Sequence, residues 1–185
     1  SYAVSNNGVF DVDVPPGQYQ AFVSRGFEWD SYEQDIVVSA NETTTIDATI
    51  AHVVDTTGLV AAEFHQHCLG SIDAQVPVPR KVLENAAEGI ELAVSSDHDV
   101  VTDFAPYLDE LGLKPFMSVM PGDEVSYEGI GHFNVYPMPV DDADPFKNDG
   151  SRLWWMKTVP EMFATMRYIA GDPVIVRDLD VGGDD

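Results

Sequence analysis

The chain has 185 residues, with 32 Asp or Glu against 9 Lys or Arg and a formal charge of −23. A surface so negative repels phosphate backbones and anionic membranes, which excludes an ordinary nucleic-acid reader. With 44% hydrophobic and 10% aromatic residues the chain still carries a core, yet it has no apolar run of the length a bilayer span needs.

From Ser1 to about Ile50 the pattern has period two with turn punctuation, which predicts four antiparallel strands. The first follows Asn7-Gly8 and alternates Phe10, Val12 and Val14 with Asp11 and Asp13. Pro15-Pro16-Gly17 breaks it, and Tyr19, Ala21 and Val23 begin the second. Tyr32 to Val38 and Thr44 to Ile50 supply the third and fourth. Four strands in so short a stretch predict a small sheet or part of a sandwich. Asn41-Glu42-Thr43 has the form of a glycosylation sequon and reads equally well as a polar turn.

The texture changes after Asp55-Thr56-Thr57-Gly58. Leu59 to Phe64 and Ile90 to Val94 read as strands, separated by a helix over Pro79 to Ala87 with Val82, Leu83, Ala86 and Ala87 inward. Thr102 is placed to cap a helix carrying Phe104, Leu108 and Leu111. Strands over Pro115 to Met120 and His132 to Tyr136 follow. A last helix runs from Pro160 to Ala170 with Met162, Phe163, Met166 and Ile169 inward, and Val174 to Leu179 reads as a further strand. Alternating strands and helices predict a parallel α/β arrangement. The boundary predicts two domains, 1–57 and 58–185.

Between the His132 to Tyr136 strand and the last helix, Asp141 to Arg152 is rich in Asp, Gly and Asn. It lacks the glycine and distal glutamate of an EF-hand loop and reads as a solvated acidic loop. Trp154-Trp155 reads as packing in preference to a pocket wall.

Residues of metal-ligand type recur at the strand ends. His65 and His67 are two apart, so on extended backbone both imidazoles point to one side. Asp73 lies in the next loop, Asp97 and His98 close the second strand, Asp123 and Glu124 the third, and His132 opens the fourth. Four of the five histidines fall in this set, and only His52 lies outside. Taken singly, a His-x-His pair is as well read as two satisfied core histidines, an Asp-His dipeptide as a structural pair, and Glu124 as one surface acid among many. Their order and placement together predict a metal site formed by His65, His67, Asp73, His98, Glu124 and His132.

That order resembles a known family. Glu63-Phe64-His65-Gln66-His67, Ser71-Ile72-Asp73, Ser96-Asp97-His98, Gly122-Asp123-Glu124-Val125 and Gly131-His132-Phe133-Asn134 are similar to the PHP (polymerase and histidinol phosphatase) superfamily, most of all its CehA/McbA-type metallohydrolases. The resemblance covers Gly58 to about Pro139. Val14-Pro15-Pro16-Gly17-Gln18-Tyr19 resembles, more weakly, a turn of the carboxypeptidase-regulatory-like β-sandwich.

The resemblance implies a distorted (β/α)7 barrel, partial here, behind a small antiparallel β-sandwich, with two or three divalent metals at the barrel's carboxyl rim. His65 and His67 would ligate one metal and Glu124 would bridge two. Asp73, His98 and His132 would complete the others, and Asp97 would act beside them by orienting His98. The donor types suit Zn, Mn or Fe. Glu124 and Asp97 are then the expected catalytic residues of a hydrolase in which a metal-activated water attacks a phosphoester or related ester or amide of a small molecule.

Three features depart from the family pattern. Cys68 stands where threonine is usual and Asp99 where asparagine is common, and no histidine follows His132 to supply the later ligands. The last implies a chain that stops inside the barrel. It also keeps a second reading open, that of a non-catalytic binding or surface-anchoring protein on a degenerate scaffold. The acid coat, in which Asp outnumbers Glu roughly two to one, predicts a saline or extracytoplasmic setting.

Overall fold

The computed structural model describes residues 2–127 and 129–177. Its N-terminal part is one hairpin, β1 (Gly17–Val23) with β2 (Tyr32–Val38), paired antiparallel from Gly17 opposite Val38 to Val23 opposite Tyr32. At its start the Tyr19 hydroxyl donates to the Pro15 carbonyl at 2.6 Å, folding the ring back over the Pro-Pro-Gly turn. The predicted strands at Phe10–Val14 and Thr44–Ile50 do not form, so this region is a two-stranded ribbon and not a four-stranded sheet or sandwich. Alternation alone is insufficient: a strand needs an edge to pair with and a layer to bury against, and here neither is present among the described residues. Asn41 does turn, with φ +61 and the Glu42 N–H donating to the Ser39 carbonyl.

Beyond the Asp55 turn, β3 (Ala62–Glu63), β4 (Leu92–Ser95) and β5 (Ser118–Pro121) form a parallel sheet in that order. The connections are α1 (Val78–Ala87) and α2 (Ala105–Glu110). Val82, Ala93, Phe104, Leu108, Leu113 and Met117 pack with Cys68 into one buried cluster. The α2 face is the one the periodicity predicts, whereas on α1 Val82 and Ala86 join this cluster but Leu83 and Ala87 do not, and Asn85 is buried. Thr102 is not the cap of α2: Phe104 occupies that position and Thr102 turns to Asp97.

The second sheet departs from the parallel expectation. β6 (Asp123–Tyr127), β7 (Gly131–Tyr136) and β8 (Val174–Arg177) are antiparallel, and no barrel closes among the described residues. Residues 178 and 179 of the predicted last strand lie outside the described residues. Here α3 (Val159–Ala170), capped by a reciprocal Thr158 and Glu161 box, lays Met162 and Met166 onto Val125, Phe133 and Val135. Residues 141–152 are not simply a solvated loop. They make two short 3₁₀ turns, Pro145–Asn148 and Gly150–Leu153, the second of which buries Leu153 in the same cluster.

The two sheets meet at residues 97–99 and 124. The Glu124 N–H donates to the Asp97 carbonyl and the Asp99 N–H to the Glu124 carbonyl, both at 3.1 Å, so the end of β4 pairs in parallel with β6. Gly122 permits the approach: a Cβ there would lie 2.6 Å from the Ser95 carbonyl oxygen and 3.1 Å from that of Val135. No helix among the described residues is long and apolar enough to cross a membrane.

Candidate metal centre

Along β6 the two-residue period sorts side chains to opposite faces. Val125 and Tyr127 pack with the α3 cluster, while Glu124 and Ser126 face the junction between the sheets. On β7 the same period sends Phe133 and Val135 inward and His132 toward Glu124. His65 and His67 leave β3 on extended backbone, and His98 leaves β4. Backbone geometry thus brings four imidazoles around one carboxylate.

Glu124 is that carboxylate and is 1% exposed. Its Oε2 lies 2.9 Å from His65 Nε2 and 2.6 Å from His67 Nε2, and its Oε1 lies 3.0 Å from His132 Nδ1. His98 Nε2 is 3.7 Å from Oε2 and 3.5 Å from Asp73 Oδ2. Asp73 also holds His67 at Nδ1 (2.9 Å) and accepts from the Ser71 hydroxyl at 2.5 Å. The four rings run in file, with successive centroids 5.1, 4.6 and 4.8 Å apart.

Burial alone would raise the Glu124 pKa. Hydrogen bonds from His67 and His65 and the nearby His98 override it and hold the carboxyl at about 2. The reciprocal effect lifts His67 to about 9, mainly through Glu124, against burial and with help from Asp73. Asp73 is likewise held at about 2 despite partial burial, by Ser71 and His67.

Three overlapping sets have donor atoms within 4.8 Å of one another: His65, His67 and Glu124; His67, Asp73 and His98; and His98, Glu124 and His132. All six sequence-predicted ligands are therefore brought together. The donor chemistry fits a cation. His65 Nε2 and His67 Nε2 approach to 3.1 Å while both face the same carboxylate oxygen, an arrangement in which a divalent ion satisfies nitrogen lone pairs that one oxygen cannot.

Asp97 is placed differently from the expectation. Its carboxylate does not reach the His98 ring. It accepts from the Cys68 N–H at 2.5 Å, from the Cys68 thiol at 2.8 Å and from the Thr102 hydroxyl. Burial, together with that carboxylate, pushes the Cys68 thiol up to about 11, so the sulfur is a proton donor here and not a thiolate ligand. The residue that meets the His98 ring is Ser126, 2.9 Å from Nδ1. Its hydroxyl also lies 3.4 Å from the Glu124 carbonyl. If it donates there, it accepts from Nδ1–H and leaves the His98 Nε2 lone pair free.

Sequence reasoning missed Ser126, although its position two residues after Glu124 on a strand carries the signal. Ser71, within the Ser71-Ile72-Asp73 motif, has a role that the motif does not announce: its hydroxyl accepts from the His98 N–H at 3.1 Å and ties that loop to Asp73. Asp123 faces the other way. It is fully buried with neither oxygen hydrogen-bonded, against Gly150, where a Cβ would come within 1.8 Å of Oδ2. Burial and then the nearby Asp99 raise its pKa well above the usual carboxylate range.

Fold and site together define a mixed α/β protein with a buried His/Glu cluster suited to metal ions. No protein-family model, curated protein or solved structure matches the chain.

Proposed function

We propose that the protein is a metal-dependent hydrolase of the PHP type, acting on a phosphoester or a related ester or amide. The observation that carries this reading is Glu124, a buried carboxylate with imidazoles at both oxygens, which is the arrangement of a bridging ligand. The ordered motifs shared with CehA/McbA-type enzymes support it, as does the junction of two sheets that collects loop residues in one basin. In this reading His65, His67 and Glu124 would hold one divalent ion, and His98, Glu124 and His132 would hold a second. Asp73 either completes a third set or fixes the His67 tautomer from Nδ1. Two or three ions of Zn, Mn or Fe type suit these donors.

Bound metal supplies a water acidic enough to attack near neutral pH and polarises the oxygen under attack. The protein's own part is to hold the ligands ready. Asp97 clamps the Cys68 backbone and so the loop carrying His67. Ser126 sets the His98 ring, and Ser71 links Asp73 to the loop of His98. The first 57 residues form a separate β unit in this reading, and the acid coat suits an extracytoplasmic or saline setting.

The test is metal content of the purified protein by elemental analysis, alongside hydrolysis of an aryl phosphate with and without added manganese or zinc. Hydrolysis that needs metal and disappears in His65→Ala and Glu124→Ala is expected. A folded protein that binds no metal and hydrolyses nothing overturns the proposal.

A further inference from the structure

Beside the metal cluster lies a cavity of about 530 Å³ lined by Gly70, Ile72, His98, Asp99, Ser126 and His132. Asp99 is the one carboxylate in that lining, and no lysine or arginine shares it. The residue is held from several directions. Its Oδ1 accepts from the Trp154 Nε1–H at 2.6 Å and from the Ser126 N–H at 3.0 Å. Its own N–H donates to the Glu124 carbonyl, and its carbonyl accepts from the Gly150 N–H at 2.8 Å. The backbone there has φ +55, a conformation that Asp tolerates better than most residues.

These contacts need only one oxygen. An asparagine would make the same two side-chain bonds through its own Oδ1, so the fold does not call for the charge. Among the described residues Oδ2 has no hydrogen-bond partner, and no Lys, Arg or His lies within ion-pair distance of Asp99. A carboxylate with one oxygen left unengaged by those residues therefore belongs to the cavity lining, together with Ile72, which is 94% exposed. A carboxylate with an aliphatic neighbour matches a group that is both cationic and clothed in methyl or methylene carbons.

We infer that the cavity recognises a substrate carrying an alkylated or primary ammonium group near the hydrolysable bond, with Asp99 as the residue that selects it. The inference rests on the hydrolase reading above for the reaction, but not for the binding. Trp154 is a positioning residue: it fixes Asp99 and leaves the substrate to the carboxylate.

The test compares two nitrophenyl esters in the metal-loaded full chain. One is made from butanoic acid ending in trimethylammonium, the other from its isosteric tert-butyl analogue. Wild-type kcat/KM is expected to favour the cation by about tenfold, the scale of one retained ion contact. Asp99→Asn brings that ratio to about one, and Trp154→Phe to a value between. Using the ratio cancels any general loss of activity in a variant.

The overall charge is a rival source of cation preference, and salt separates the two. In about 1 M salt, where the Debye length is about 3 Å, the long-range field is screened while a direct contact persists. An equal ratio in wild type and Asp99→Asn overturns the inference. So does a fall in metal content in Asp99→Asn with no change in ratio, which would make Asp99 a support for the metals.

If neither ester is hydrolysed, the aryl phosphate assay alone decides the hydrolase reading, and binding decides the inference separately. The corresponding trimethylammonium and tert-butyl alcohols are titrated while tryptophan fluorescence is followed. Tighter binding of the cation in wild type that is lost in Asp99→Asn sustains the inference; equal binding overturns it.

Discussion

The N-terminal ribbon and the two-sheet region are patterned alike in sequence and fold to opposite extents. Every buried apolar residue among those described, from Cys68 to Met166, lies in the second region. In the first, Phe22, Val37 and Phe27 are exposed, Phe27 completely. The contact between the regions is mostly polar at the chain's start, with Tyr2 donating to Glu84 and Asn6 to the Leu111 carbonyl. The same alternation of apolar and polar residues yields a buried strand at β7 and no strand at Phe10–Val14. What differs is the facing layer: α3 lies over β7, and nothing comparable lies over Phe10. A region without a core of its own cannot hold side chains to the sub-ångström tolerance a metal site needs, and the ligand cluster sits entirely in the region that has one.

The sharpest way to break this comparison is Glu124→Ala. It removes the carboxylate that lies beside all four neighbouring imidazoles, and metal affinity by calorimetry is expected to fall by at least about a hundredfold, above the range for outlying supports of a metal site. Next is Gly150→Ala, whose new methyl meets the buried Asp123 carboxyl. Overpacking of that kind costs about 3 kcal/mol, and the melting temperature should fall by several degrees. Phe22→Ala in the ribbon should cost no more than about 0.5 kcal/mol, as for exposed positions generally. Equal losses at the two sites would show that the ribbon is packed after all.

The pH dependence sharpens the picture of the site itself. Below about 9 His67 holds a proton that a metal must displace, so zinc or manganese affinity should rise with pH, by up to tenfold per unit, and level off above about 9. Calorimetry in buffers of different ionisation enthalpy should count about one proton released near pH 7. For the metal-free protein the signs are opposite at the two ends. His67, raised above its unfolded value, stabilises fully below pH 6.5, and the contribution is lost as pH rises through about 9. Glu124, lowered, stabilises fully above pH 4.5, and the contribution is lost as pH falls toward 2. Chemical denaturation across pH reads both.

Much of the His/Asp/Glu cluster was legible because its residues follow strand geometry. His65 and His67 share a side by period two, and the same rule places Glu124 on the face opposite Val125. The helices were legible through their apolar faces, Val82 on α1 and Met162 with Met166 on α3. What was not legible depended on pairing between distant segments. The parallel expectation failed first at β6 and β7, where Gly129 and Ile130 turn the chain straight back and no helix intervenes to carry it across. It failed again at β8, which pairs antiparallel to β7 although α3 lies between them. Asp97 was read toward His98 because the two are adjacent in sequence. In space its carboxylate turns to Cys68 and Thr102, and the partner of His98 comes from β6.

The smallest expected effect falls on His52, and it tests what made the other four histidines informative. His52 has surroundings that look functional: Glu28 at 2.9 Å, with Thr56 donating to the same oxygen, and the Trp29 ring edge-on at 5.3 Å. The Glu28 carboxyl is held below its usual range chiefly by His52. Among the described residues, however, no second imidazole or carboxylate completes a set there, and an exposed ion pair contributes little to stability. His52→Ala should therefore leave metal stoichiometry unchanged and lower the melting temperature less than Gly150→Ala does. A histidine is evidence of a metal site only through the groups that converge with it, and a loss of metal in His52→Ala would mean that the ribbon contributes a ligand and that the two regions form one site.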